Sequence, residues 1–147
     1  MTIAKPNYRQ VAGFAGSVTK SGAVINSFNA DTEIAEGLPV KLASGKIVEM
    51  TTGDKAHQCV GIVAKRAPFA SFDAGQLLAV VHEGFVQVPM TDSETPARGG
   101  QVYYDPATHK FTTTSASKVP VRAIWAADGQ ADGLAEIQVV PHIAPGA

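Results

Sequence analysis

Fourteen glycines and nine prolines break the 147-residue chain at short intervals, leaving no apolar periodic segment long enough for a substantial packed helix. Between the breaks lie runs of four to eight residues rich in Val, Ile and Thr, which is the pattern of many short strands. Strands of this spacing are joined by tight turns, and tight turns link antiparallel neighbours, because a parallel pair needs a crossover of a dozen residues or more. The expected fold is therefore all-β: an antiparallel, jelly-roll-like sandwich or barrel of about ten short strands with extended terminal arms.

Period-two alternation places the candidate strands. In Gly84–Met90, Val86, Val88 and Met90 face one way, and Phe85, Gln87 and Pro89 the other. Leu134–Val140 alternates Ala135, Ile137 and Val139 with Glu136, Gln138 and Val140, while Val119, Val121, Ala123 and Trp125 share a face opposite Arg122; both read as half-buried strands. Further strands are expected at Ala23–Phe28, Leu38–Leu42, Lys46–Met50, Cys59–Lys65, Leu77–Val81, Gln101–Tyr104 and Lys110–Thr114, with turns at Ser44-Gly45 and Asp105-Pro106. Asp31–Glu36 and Ala70–Gln76 are the helix candidates, each too short to be more than a local feature.

A single β domain is expected over residues 17–140. Residues 1–16 mix polar side chains with Tyr8, Val11 and Phe14 and show neither period, so they read as an extended amino-terminal arm that another surface would order. Residues 141–147, bounded by Pro141 and Pro145, read as a short carboxy-terminal tail.

Twelve basic and thirteen acidic residues nearly cancel, which leaves no electrostatic footprint for nucleic acid or an anionic membrane. No apolar run approaches the roughly 20 residues a bilayer-spanning helix needs, and the amino terminus lacks a secretory signal, so a soluble protein made in the cytoplasm is expected. The single cysteine, Cys59, lies in the apolar run Cys59–Val63 and reads as a buried thiol rather than a nucleophile.

Motifs that carry chemistry are sparse. His57, His82, His109 and His142 stand apart in sequence and show no metal-ligand spacing, so no metal and no cofactor are expected. Asp31, Glu33 and Glu36, like Asp92 and Glu94, fall in polar, turn-like stretches where carboxylates stay solvated and ionised instead of serving as general acids. There is no Gly-x-Ser-x-Gly elbow, phosphate loop or dinucleotide fingerprint. Ala97-Arg98-Gly99-Gly100 is a faint echo of the motifs of trimeric dUTP pyrophosphatases, without their accompanying patterns. The expectation is that the chain is not an enzyme.

Five stretches in order carry a resemblance: Gly13-Phe14-Ala15-Gly16, Glu33–Val40, Val60–Val63, Val80–Val88 with a Glu83-Gly84 turn between two strands, and Gly99–Asp105. Their order and spacing resemble those of phage structural cement proteins, although each is weak alone. The resemblance implies a decoration subunit on the outer surface of a tailed-phage capsid that stabilises contacts between major capsid proteins. It implies contact through the arm and projecting loops, for which Tyr8, Val11, Phe14 and Phe28 are the candidate anchors, with Phe69 and Phe72 as a second group. Symmetric self-association is expected, a homodimer ahead of a trimer. The competing readings are a carbohydrate-binding or adhesion module and a tail or connector component. The first wants an exposed aromatic platform, and the alternation puts the only tryptophan, Trp125, in the core.

Overall fold

The structure, a computed structural model, describes residues 15–65, 71–72 and 77–141, with Ser71 and Phe72 described by their backbone. Eleven strands make up the described chain: β1 (Val24–Asn29), β2 (Ile34–Ala35), β3 (Pro39–Ala43), β4 (Lys46–Glu49), β5 (Cys59–Val63), β6 (Ser71–Phe72), β7 (Leu77–Pro89), β8 (Gln101–Asp105), β9 (Lys110–Thr112), β10 (Val119–Trp125) and β11 (Leu134–Val139). No α-helix occurs among the described residues; a 3-10 turn at Ala56–Gln58 precedes β5. Asp31–Glu36, a helix candidate too short to be more than a local feature, is a bend leading into the two-residue strand β2, which pairs with β6. Ser71 and Phe72, inside the second helix candidate, are likewise strand.

Nine strands form one antiparallel sheet in the order β4-β3-β5-β7-β11-β10-β8-β9, with β1 also paired to β7. The two strands expected around Glu83-Gly84 are one 13-residue strand, β7, so there is no turn at that point. Its first half lies against β1 and β5, and its second half, from Gly84, against β11. Gly84 adopts φ +133°, and a Cβ there would stand 2.8 Å from the Ala23 Cβ, so glycine lets β7 change partners while Ala23 passes close beside it. Each half then rolls over. Ala30, just after β1, bridges to Ile47 of β4, and Met90, just after β7, bridges to Phe111 of β9.

The alternation holds side chain by side chain. Val86, Val88, Met90, Val119, Val121, Trp125, Ile137 and Val139 are all in the core, and so is Cys59. Burial pushes the Cys59 thiol up from its ordinary pKa, against the lowering effect of its hydrogen bonds and of the nearby Arg122 charge, which suits a small core hydrophobe.

Arg122 departs from its expected half-buried setting: it is 1% exposed. Its Nε donates to the Cys59 carbonyl at 3.0 Å, Nη2 donates to the carbonyls of Val60 at 2.9 Å and His82 at 3.3 Å, and Nη1 donates to that of Val140. A guanidinium presents five N–H donors in a planar fork, and here the fork ties β10 to β5, β7 and the end of β11. Desolvation lowers the Arg122 pKa, partly offset by the fields of Cys59 and Glu83.

Candidate interaction surface

Residues 16–19 are joined to the β body along β7. Gly16 N–H donates to the Gln87 carbonyl at 2.7 Å, Gln87 N–H to the Ser17 carbonyl at 2.9 Å, and Thr19 N–H to the Phe85 carbonyl at 3.1 Å, so residues 16–19 run as an added strand along the second half of β7. Lys65 N–H closes on the Gly16 carbonyl at 2.8 Å. A Cβ on Gly16 would sit 2.7 Å from both the Lys65 nitrogen and the Val63 oxygen, and its φ of +84° belongs to glycine. Lys20 lies 4.3 Å over the Phe85 ring and 3.0 Å from Glu136, and Thr19 Oγ1 donates to the same carboxylate. Gly16, counted with the arm from sequence, is thus hydrogen-bonded to the body. Tyr8, Val11 and Phe14 lie outside the described residues, as does Phe69; of Phe72 the backbone in β6 is described.

Phe28 is the one proposed aromatic anchor whose surroundings are described. It packs partly against the core and lines an open groove of about 390 Å³ with Asn26, Leu42, His57, Val60 and His82. Leu42 of the groove is an exposed apolar side chain, as are Val24 and Ile25 of β1 and Leu77 at the start of β7. Among the described residues no group of three or more His, Cys, Asp or Glu side chains is placed to hold a metal ion. Trp125 is buried and offers no aromatic platform.

A second cleft, of about 340 Å³, is lined by Glu33, Glu36, Glu49 and His109 with Ala35, Leu38 and Pro89. Glu36, Glu49 and His109 have polar partners. Tyr104 O–H donates to Glu49, His109 Nδ1 lies 2.8 Å from the same oxygen, and Lys65 approaches Glu36 at 3.5 Å. Burial, together with the Glu49 bond and charge, raises the Tyr104 pKa far above its ordinary value, so the phenol stays a donor. Glu36 is buried rather than solvated as its sequence setting suggested, because its turn folds back beneath Lys65.

Glu94 also does more than solvate the surface. Partial burial raises its pKa, but the Thr113 N–H and the hydroxyls of Thr112 and Thr113, helped by the Lys118 charge, outweigh that and hold it below its ordinary value. These bonds, at 2.7 to 2.9 Å, fasten the turn after β7 to the end of β9. A carboxyl with a depressed folded pKa stabilises fully above its unfolded pKa, about 4.3, and loses that contribution as pH falls through the folded value. Glu94→Gln is therefore expected to lower the thermal midpoint at neutral pH and to flatten its decline below about pH 4. An unchanged acid limb in the variant would remove this role.

Most of the chain is similar to a known family. Residues 4–140 match the family model described as structural cement protein (E217 gp24/Pam3 gp6). A chain in the solved capsid of Myoviridae phage XM1 shares the fold with a TM-score of 0.73 at 20% identity, over 88% of this chain and 91% of that one. The head fiber gp8.5 N base of bacteriophage phi29 aligns more loosely, with a TM-score of 0.48 and 12% identity over 84% of this chain and 99% of that one. No curated protein matches.

Proposed function

Because the chain belongs to the phage structural cement protein family, we propose that it sits on the outer surface of the capsid and ties neighbouring major capsid proteins together, gripping them through its amino-terminal arm. The observation that carries this is the extent of the family match, residues 4–140, which takes in most of the arm as well as the β body. As a structural cement protein it is a component of the virion capsid. Its work is mechanical. A subunit that touches several shell proteins at once need not bind any one of them tightly, since contacts held in fixed geometry act together.

The β body supplies that fixed geometry, and the anchoring of residues 16–19 along β7 gives the arm a defined point of departure. The role proposed is non-catalytic; in the cleft, Glu49 accepts from Tyr104 and lies 2.8 Å from His109 Nδ1, contacts that tie β4 to β8 and to the turn before β9. The partners proposed are the major capsid protein and a second copy of the chain, with synthesis in the host cytoplasm; neither nucleic acid nor membrane enters the scheme. Added to mature capsids that lack it, the purified protein is expected to bind at a fixed stoichiometry and raise the temperature at which the shells rupture. Failure to associate with such capsids would sink this reading.

A further inference from the structure

The outer edge of β1 offers unpaired backbone groups aligned to receive another strand. Ile25 and Ser27 stand opposite Val81 and Ala79 of β7. The Ala79 carbonyl points away from β1, accepting a bond from the Ala64 N–H at 2.9 Å, so Ser27 and, by alternation, Ile25 direct their N–H and C=O groups outward. Among the described residues no strand pairs with that edge until Ala30 bridges to Ile47, where Asp31 N–H donates to the Ile47 carbonyl at 3.0 Å. The open stretch Val24-Ile25-Asn26-Ser27-Phe28-Asn29 contains no charge and no proline, the usual devices that keep sheet edges apart. Val24 and Ile25 are 43% and 47% exposed.

We propose that two copies of the chain join by antiparallel pairing of their β1 edges about a two-fold axis at Asn26. This rests on the reading of the protein as a self-associating cement subunit, and it names the surface responsible. Directly opposed residues in an antiparallel pair either both point their backbone groups at the partner or both point them away, so the axis falls on a residue rather than between two. Centring it on Asn26 sets each Ile25 against Ser27 of the second copy, exchanging both bonds, and each Val24 against Phe28 of the second copy, an apolar cross-strand pair made twice. Centring on Ser27 would oppose Val24 to Ala30, whose edge β4 already occupies. Centring on Ile25 would strand Phe28 against Gly22, before β1 begins. The stretch is self-complementary in this register and carries no charge, so two copies meet without like-charge repulsion, which argues for a second copy as the occupant.

The axis makes Asn26 its own partner in a non-hydrogen-bonded pair, with Cα atoms about 4.5 Å apart, inside the range a disulfide spans. Under mild oxidation, Asn26→Cys is expected to become a covalent dimer of wild-type hydrodynamic size, while Thr52→Cys, on an exposed turn, is not; the native Cys59 is buried and contributes no background. Asn26→Lys is expected to sediment as a monomer with unchanged circular dichroism. A dimer that persists undiminished in folded Asn26→Lys, or Asn26→Cys that fails to cross-link both free and on capsids, overturns the inference. If the wild-type protein meanwhile binds capsids at fixed stoichiometry, the cement reading stands without it. Should Asn26→Lys not fold, the cross-link alone decides.

Discussion

Arg122→Leu is expected to lower the stability of the isolated protein by about 3 kcal/mol, roughly 10 °C in thermal midpoint for a chain of this size. The change removes every bond the guanidinium donates and leaves the carbonyls of Cys59, Val60, His82 and Val140 short of a partner in or near the core. Unmet buried acceptors cost about 1 to 3 kcal/mol each. Two effects pull the total down: His82 Nδ1 lies 3.0 Å from the Val60 carbonyl and answers it in part, and the variant no longer buries a charge without a carboxylate partner. Arg122→Lys should recover a fraction of the loss, since one ammonium cannot reach acceptors spread over three strands. Calorimetry of the three proteins checks this, and a shift of under about 2 °C for Arg122→Leu would mean that the desolvation of the guanidinium cancels its hydrogen bonds.

The second large effect concerns binding. Removing residues 1–14 is expected to weaken capsid association by tenfold or more, about 1.4 kcal/mol or greater, while the thermal midpoint of the body stays within a few degrees. The boundary follows from the structure: Gly16, Ser17 and Thr19 bond to β7 and Lys65, so a truncation that stops at residue 14 keeps those bonds. A truncation through residue 19 removes them and exposes the edge of β7, and is expected to destabilise the body as well. Comparing the two by titration onto capsids and by thermal denaturation separates grip from fold. Undiminished binding by the shorter truncation would move the contact to the β body, with the Phe28 groove as the next surface to test.

Much of this protein is written locally. The alternation through Val86, Val88 and Met90, or Ala135, Ile137 and Val139, requires only that successive side chains point to opposite faces, and those residues are buried as their pattern requires. Trp125 followed from the same rule, and Cys59 from the apolar run it opens. The Glu83-Gly84 pair misled because glycine after a polar residue signals a turn in isolation. Here the same freedom lets β7 continue while its partners change from β1 and β5 to β11. Glu36 and Arg122 misled for a related reason: polar sequence neighbours or a polar side chain do not reveal what distant backbone will close over them.

The candidate surface was less legible than the fold. From sequence Phe28 was a candidate anchor, but its half-buried setting and its groove draw Leu42, His57 and Val60 from separate elements. The outward aim of Ile25 and Ser27 depends on which side of β7 is taken by β5, a fact with no trace in the six residues of β1 themselves. By itself the sequence determined an antiparallel β chain, the places of most strands and the faces they bury, because alternation and turn chemistry act over a few neighbouring residues. Only the tertiary structure decided the strand order, the continuity of β7, the burial of Arg122 and the open edge of β1, because each depends on backbone groups brought together from far apart in the chain.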